Sequence, residues 1–250
     1  MRGGKRGSCM NAVQALLAKT HYQRLEERCL ERLFATRFNG KSLLDIGCGQ
    51  GKYLRLLSVY CPRLTGVDAN PEQVDALRQE GFGVSLPEEL SLRKYDILLM
   101  SHIVEHLSAK DLVAFMDKYL PMLEDDGRLI VITPMPGIRF WHDYTHVRPY
   151  TPQSLGMMFG ILGGPVAFRP RIKMVLEEAW FFRDSWRLRN NRYYFPPPPG
   201  DAGSGARHFR CLILIVNVVL AGLHVISGGR LGKLASWMGV YRRTDIAESR

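Results

Sequence analysis

The sequence has few cysteines and no apolar run long enough to span a bilayer, and each absence excludes a class of protein. Its five cysteines form no Cys-x-x-Cys pair, which argues against a disulfide framework and a structural zinc site. The most apolar stretch, Cys211 to Ile226, is shorter than the roughly 20 residues that a spanning helix needs. Residues 11–40 are charged and helical in pattern, so we predict no signal peptide and a reducing, cytoplasmic setting.

The rest of the composition is that of a globular protein, with its charge unevenly distributed. Hydrophobic residues make up 46% of the chain and charged residues 23%, which excludes whole-chain disorder and collagen-like repeats. Residues 41–166 hold twelve basic and fifteen acidic side chains, so the net charge of +10 comes from the flanks. Basic flanks favour an anionic partner such as a membrane surface, a nucleic acid or a phosphorylated substrate. A basic surface that only aids solubility explains the charge equally well.

Apolar runs and helix signals alternate between residues 42 and 133, as in strand–helix–strand units. The predicted strands are 42–46, 64–68, 82–86, 95–100 and 127–133, and the predicted helices between them are 52–59, 71–80 and 108–123. The later strands lack polar alternation, which is typical of strands covered on both faces. The pattern therefore predicts an α/β fold with a Rossmann-like, doubly wound parallel sheet.

Different patterns flank this domain. The predicted parts are an N-terminal helical extension (1–37), the main domain (38–194), a Pro/Gly linker (195–206), a hydrophobic helical segment (207–236) and a last strand with a tail (237–250). Basic residues on both sides of the hydrophobic segment favour insertion into one leaflet of a membrane. The alternative is a helix packed on the domain, in which case Asn217 and His224 need internal partners.

The strongest motif is the glycine-rich turn after the first strand, Asp45-x-Gly47-x-Gly49-x-Gly51. A dinucleotide site would place its third glycine at position 52, which is Lys52, and a P-loop would need a Gly-Lys-Ser/Thr sequence that is absent. The next strand ends at Asp68, whose carboxylate has two oxygens with which to accept hydrogen bonds from both hydroxyls of a ribose.

This turn resembles motif I of the class I S-adenosylmethionine-dependent methyltransferases. The resemblance covers residues 38–165 and includes Asp68 and the segment Ser101 to Leu107, which contains a Glu-His-Leu turn. It implies the methyltransferase type of sheet, S-adenosylmethionine as cofactor and S-adenosylhomocysteine as product. The implied cofactor-binding residues are Asp45, Gly47, Cys48, Gly49, Gly51, Asp68, Ala69, Ser101 and His102. One departure is Ser85-Leu86, where many members carry an acid near adenine, so backbone and apolar contacts or Glu88 hold adenine instead.

The candidate catalytic residues follow the fourth and fifth strands. His106 and His146 are candidate general bases, because histidine titrates near neutral pH; the rival role of each is to cap or orient a loop. The candidate substrate-binding residues are His142, Asp143, Tyr144, Arg148 and Tyr150. Arg148 either binds an anionic group of the substrate or forms a salt bridge to Asp143. No carboxylate pair occupies the positions that metal-dependent relatives use, so we predict no metal.

These observations favour a methyltransferase that methylates a hydroxyl of a glycan, lipid-linked or quinone-like acceptor. The segment 145–151 resembles a subset of bacterial methyltransferases that modify glycans of the cell envelope. Together with the hydrophobic segment, this favours peripheral membrane contact through 207–233 at the inner membrane face. Two alternatives stay open: an RNA methyltransferase that uses the basic flanks, and a non-catalytic, membrane-associated scaffold. DNA is not an expected partner, and no Asn-Pro-Pro-Tyr-type motif for base nitrogens follows the fourth strand.

Overall fold

The computed structural model describes residues 20–188 and 207–244 as seven strands joined by helices and loops. The strands are β1 (Leu43–Ile46), β2 (Leu64–Val67), β3 (Gly83–Ser85), β4 (Tyr95–Ser101), β5 (Leu123–Pro134), β6 (Lys173–Asp184) and β7 (Lys233–Thr244). The α-helices are α1 (Tyr22–Thr36), α2 (Lys52–Leu57), α3 (Pro71–Gln79), α4 (Ala109–Tyr119), α5 (Pro152–Met158) and α6 (Arg207–Ile226). Single-turn 3-10 helices lie at Val104–His106, Leu120–Met122 and Phe140–His142.

The strands form one sheet in the order β3-β2-β1-β4-β5-β7-β6. β1 pairs in parallel with both β2 and β4, β4 pairs in parallel with β5, and β7 runs antiparallel to β5. The predicted doubly wound α/β sheet is thus confirmed. The strand order reverses at β1, so the carboxyl ends of β1 and β4 border the crevice where folds of this type bind ligands.

The central strands are buried on both faces, as their continuous apolar sequences predict. In β4 all residues except Asp96 are buried, and the apolar residues Leu129 to Ile132 of β5 are fully enclosed. The core cluster around them includes side chains from α4, from α5 and from β7. The sheet is therefore a rigid support for the loops that follow its strands.

The helix boundaries follow local signals where these are strong. Asn70 is a residue type favoured at N-caps, and its side chain accepts a hydrogen bond from Glu72 N at the start of α3, where the sequence predicts a helix from residue 71. The prediction that the fourth helix continues to residue 123 is wrong, because α4 ends at Tyr119. Pro121 has no N–H with which to continue the α-helical hydrogen bonds, and a 3-10 turn, Leu120–Met122, follows instead.

Contacts within the chain define two compact units. One comprises Met1–Glu26 and Phe182–Leu234, and the other comprises Glu27–Phe181 and Ala235–Arg250. The predicted linker at 195–206 and the first 19 residues of the predicted helical extension lie outside the described residues. The last strand starts at Lys233, although the sequence analysis assigned 233–236 to the hydrophobic segment and placed the strand from 237.

Two polar side chains of helix α6 have partners within its own unit. Asn217 accepts a hydrogen bond from Leu188 N and donates one to Leu188 O, at 2.7 and 3.0 Å. His224 is 2% exposed, and its Nδ1 lies 2.6 Å from Leu231 O, whereas its Nε2 has no hydrogen-bond partner among the described residues. Together with the buried Ala221, these residues form one face of the helix. The internal partners that a packed helix would require are therefore present for Asn217 and for one ring nitrogen of His224.

Candidate functional site

The three glycines of the turn all have left-handed backbone conformations, with φ of +75° at Gly47, +51° at Gly49 and +75° at Gly51. A Cβ at Gly47 would lie 2.4 Å from Ile103 Cδ1, and one at Gly51 would lie 2.3 Å from Leu77 Cδ2. A Cβ at Gly49 would meet no protein atom within 4 Å. Gly47 and Gly51 are therefore needed for packing, whereas Gly49 presents bare backbone to open space.

Asp68 fastens the turn to the end of β2. Its Oδ2 accepts a hydrogen bond from Gly49 N at 2.8 Å, and its Oδ1 accepts one from Asn70 N at 2.9 Å. Val67 O accepts from Gly47 N at 2.8 Å, which ties the turn to the same strand. An ionised carboxylate has about four lone-pair sites, so Asp68 still has sites to accept from a ribose.

Asp45 is a buried carboxyl group at the end of β1. It is 1% exposed, and its Oδ2 has no hydrogen-bond partner among the described residues. Burial, followed by the negative charge of Asp68, raises the pKa of Asp45 to about 7. A cationic group of a ligand placed beside this oxygen would therefore stabilise the ionised form of Asp45.

Cys48 was among the implied cofactor-binding residues, but its side chain belongs to the protein interior. The side chain packs with Leu54, Val74, Leu77 and Val84 in a small hydrophobic cluster. Burial, with added repulsion from nearby carboxylates, raises the pKa of the thiol to about 12. Only the backbone of Cys48 can therefore take part in cofactor binding, and its N–H already donates to Val67 O at 3.1 Å. Ala69, also implied, is exposed beside Asp68.

The end of β4 brings polar side chains into the crevice. Ser101 is buried, and its Oγ has no hydrogen-bond partner among the described residues. His102 has a φ of +53°, the only positive value at a non-glycine residue in the described part of the chain. Its Nδ1 lies 3.4 Å from Oε1 of the fully buried Glu105, whose Oε2 accepts a hydrogen bond from Thr133 Oγ1 at 3.0 Å. Strained backbone conformations such as that of His102 cluster at ligand-binding and active sites.

His106 and His146 face each other, with ring centroids 4.9 Å apart. His146 Nδ1 lies 2.7 Å from Phe140 O, and His106 Nδ1 lies 3.2 Å from Thr145 O. A carbonyl oxygen only accepts, so each neutral ring is assigned its proton on Nδ1, and each Nε2 carries the lone pair. Asp143 Oδ2 lies 3.7 Å from His146 Nε2, where it would stabilise the protonated ring.

The remaining predicted substrate-binding residues take different positions. Tyr144 is 97% exposed, and His142 and Asp143 are also exposed. Tyr150 is buried, and its hydroxyl donates to Leu107 O at 3.0 Å, so that hydroxyl supports the loop. Two hydrogen bonds from Thr145 hold the pKa of Asp143 below its usual range.

Glu105, His106 and His146 offer ligand atoms within 4.8 Å of one another, a spacing at which a metal ion could be held. The sequence analysis predicted no metal from the lack of paired carboxylates, and it did not foresee this grouping. Glu105 lies in the Glu-His-Leu turn, but its site role was missed because nothing in the local sequence indicates that the side chain is buried. The absence of a metal stays a prediction.

The residues at this edge of the sheet fit the cofactor that the resemblance implies. Gly49 provides open backbone, Asp68 provides carboxylate oxygens for a ribose, and Asp45 provides an unpaired oxygen for a cationic group. Glu88, considered for adenine, is exposed, whereas Glu89 binds Leu86 N and Arg78. Which group contacts adenine stays open.

Comparison with known proteins identifies a family and two partial relatives. The family described as a methyltransferase domain matches residues 18–163. Sphingolipid C9-methyltransferase B of Emericella nidulans is 32% identical over 108 residues, which cover 37% of this chain and 20% of that one. The ubiquinone biosynthesis O-methyltransferase of Chelativorans sp. is 30% identical over 109 residues, covering 40% and 42%. The alignments thus span less than half the length of these curated relatives.

A solved structure with the same fold is a SAM-dependent methyltransferase from Archaeoglobus fulgidus. It superposes with a TM-score of 0.54 at 19% identity and covers 91% of this chain and 98% of its own. At this identity the likeness establishes the fold alone. The family match extends over more than half of the sequence and includes the glycine turn, Asp68 and the Glu-His-Leu segment. The chain therefore belongs to the methyltransferase domain family of class I S-adenosylmethionine-dependent methyltransferases, whose cofactor is S-adenosylmethionine.

Proposed function

We propose that this protein transfers the methyl group of S-adenosylmethionine to a hydroxyl of a small or lipid-linked acceptor. The observation that carries the proposal is the left-handed glycine turn, fastened by Asp68 and bordered by the unpaired Asp45 carboxyl group. The cofactor supplies a methyl group on a sulfonium, which is a good leaving group. The protein therefore has to align the acceptor and remove one proton.

We assign proton removal to the pair His106 and His146. The neutral His146 ring directs its basic Nε2 away from Phe140, and Asp143 stands ready to balance the charge of the protonated ring. His106 lies against it and is held by Thr145. The glycine turn and Asp68 are then left to hold the cofactor, while the loop 142–150 orients the acceptor.

We further propose that the protein binds its acceptor at an anionic membrane surface and that the smaller compact unit contacts this surface. Met1–Glu26 and Phe182–Leu234 contain 13 basic and three acidic residues, whereas the other unit contains 21 of each. The whole net charge of +10 thus belongs to the unit that carries α6. Of the described helices, none is both long and apolar enough to cross a bilayer.

Helix α6 supports this surface through its second face. Exposed apolar side chains recur there at helical spacing: Leu212, Ile215, Val219, Leu223 and Ile226. They lie opposite the face formed by Asn217, Ala221 and His224. A helix with one apolar exposed face and flanking basic residues, such as Arg230 and Lys233, suits an interfacial position with the apolar face in the outer part of one leaflet.

The rival functions differ in measurable ways. An RNA methyltransferase would transfer labelled methyl groups to bulk tRNA and bind it with strong salt dependence. A non-catalytic scaffold would fail to bind the cofactor. The named relatives act on a sphingolipid and in ubiquinone biosynthesis, which supports a lipid-linked or quinone-like acceptor. The first assay should therefore offer labelled S-adenosylmethionine with lipid extracts of bacterial envelopes, with a short-chain benzoquinol and with tRNA.

Replacing Gly49 with alanine should abolish cofactor binding without unfolding the protein. The new Cβ meets no protein atom but would occupy the space that the cofactor needs. We expect the dissociation constant for S-adenosylmethionine, measured by calorimetric titration, to rise at least about tenfold, or about 1.4 kcal/mol. The control is Gly40→Ala, since Gly40 also has a positive φ (+80°) and open space around its Cβ position but lies before β1. Equal loss of affinity in both variants would contradict the assignment.

Cofactor affinity should rise with pH up to about 7, because the pKa of Asp45 is raised to about 7 by burial and by Asp68. A cationic ligand favours the ionised carboxylate, so binding releases a proton below that pH and is tighter once Asp45 is ionised. The dissociation constant should therefore fall by up to about tenfold per pH unit between pH 5.5 and 7 and then level off. Asp45→Asn should remove this dependence, whereas Asp75→Asn, on exposed α3, should keep it. A slope that survives in Asp45→Asn would remove Asp45 from the cofactor site.

Replacing His146 with glutamine should lower turnover by about a hundredfold or more, while cofactor affinity stays within about twofold, because glutamine cannot accept the proton. Turnover is measured as labelled methyl transfer to the acceptor preparation found active above. Val59→Gln, at an exposed position outside this loop, serves as control. Full activity of His146→Gln would assign the base to His106. Separately, if the unmodified protein loses activity on chelation and regains it with Mn²⁺ or Zn²⁺, the prediction that no metal is needed is wrong.

Binding to vesicles should depend both on the positive charge of the smaller unit and on the exposed apolar face of α6. We expect sedimentation with phosphatidylcholine vesicles that contain phosphatidylglycerol, little with phosphatidylcholine alone, and loss of binding at high salt. Val219→Asp should weaken binding at least about tenfold, whereas Val59→Asp, which is also exposed but on the neutral unit, should not. If the protein instead self-associates, does not bind vesicles and loses self-association in Val219→Asp, the exposed apolar face of α6 joins two copies of this chain.

A further inference from the structure

A cavity of about 360 Å³ lies beside the acceptor loop in the main unit. Its walls are apolar side chains from α4, from α5 and from the segment that follows α5: Leu112, Val113, Met157, Met158, Val166 and Phe168. This volume lies within the range of small-molecule sites, which are mostly apolar with a few polar groups that fix orientation. No local sequence pattern indicates this cavity, because its walls come from segments about 40 residues apart.

The hydroxyl groups of the cavity wall already have hydrogen-bond partners within the protein, which leaves Arg148 to contact a ligand. Tyr150 donates its hydroxyl to Leu107 O, and Ser154 Oγ is hydrogen-bonded to the backbone of Thr151. Arg148 is the only charged residue of the lining; its guanidinium carbon lies 5.7 Å from the centroid of the Tyr150 ring, and no carboxylate among the described residues pairs with it. The salt bridge to Asp143 considered from the sequence is thus not formed. An apolar cavity with one unbalanced cation is complementary to an amphiphilic anion.

The backbone places Arg148 of the cavity wall close in sequence and in hydrogen bonding to the candidate catalytic histidines. Arg148 follows His146 by two positions, and the N–H groups of Val147 and Arg148 both donate to Glu105 O. Glu105 is in turn adjacent to His106. A ligand whose anionic group is bound by Arg148 would therefore extend its chain along α4 and α5, and its remaining polar part would lie near the histidine pair.

We propose that this cavity binds the apolar chain of the acceptor, with Arg148 binding an anionic group next to that chain. The proposal rests on the proposed function and specifies its substrate class: an anionic amphiphile with a short acyl or prenyl chain, methylated on its polar part. A free glycan or an RNA nucleotide fits less well, because its hydroxyls would face apolar walls without hydrogen-bond partners. Of the acceptors considered from the sequence, the lipid-linked class is the one that fits.

The test measures binding of straight-chain alkanoates of six to twelve carbons, below their micelle-forming concentrations, by calorimetric titration of the full chain. Each added methylene should tighten binding about fourfold until the cavity is filled. Alkanols of equal length, which lack the charge, should bind at least about tenfold more weakly. Titration with S-adenosylmethionine on the same sample tests the proposed function separately, because alkanoate binding requires neither the cofactor nor turnover.

Two variants and two controls locate the binding. Arg148→Met should remove the difference between alkanoate and alkanol, whereas Arg93→Met, which removes one exposed cation elsewhere, should preserve it. Val113→Phe fills the cavity and should weaken decanoate binding at least about tenfold, whereas Ala114→Phe adds bulk at the neighbouring exposed position of α4 and should have no effect. Unaltered binding in both Arg148→Met and Val113→Phe would overturn the proposal, as would no alkanoate binding by a sample that binds the cofactor. If Val113→Phe fails to fold, Arg148→Met decides the outcome.

Discussion

The backbone and side chain of Glu105 hold the two halves of the site together. Its carbonyl accepts from Val147 and Arg148, and its buried carboxylate accepts from Thr133 on β5 and lies opposite His102. A buried carboxylate is costly unless hydrogen bonds and opposite charge compensate it, so the surrounding groups cannot move independently. Glu105 therefore ties the acceptor loop to the ends of β4 and β5, which strand pairing already holds together.

The cofactor side of the crevice depends on a second buried acid. Asp45 and Asp68 follow neighbouring strands, and the negative charge of Asp68 adds to the effect of burial in keeping the Asp45 carboxyl group hard to ionise. Under the proposed function, a bound cation would relieve this unfavourable environment and would couple cofactor binding to protonation. Asp68 holds the glycine turn in place, and the proposal is that the pair of acids favours a positively charged ligand.

The two compact units differ in charge as well as in structure. The unit with the central sheet is neutral, which suits a site that must admit a ligand carrying both charges, whereas the smaller unit carries all of the excess positive charge. In α6 a packed face that contains Asn217 and His224 and an apolar exposed face coexist. The two interpretations of the hydrophobic segment were therefore not exclusive, because a helix can pack through one face and remain available for binding through the other.

The amino-acid sequence by itself determined the strand order along the chain, the cap of α3 and the glycine turn. These depend on local signals: apolar periodicity, side chains that bond nearby N–H groups, and glycines at positions with positive φ. Only the tertiary structure decided that Cys48 points inward, that Glu105 is buried and that Arg148 lacks a carboxylate partner. It also decided that α4, α5 and the segment after them enclose an apolar cavity. Burial and ion pairing depend on residues distant in the chain, and no local pattern specifies which of them meet.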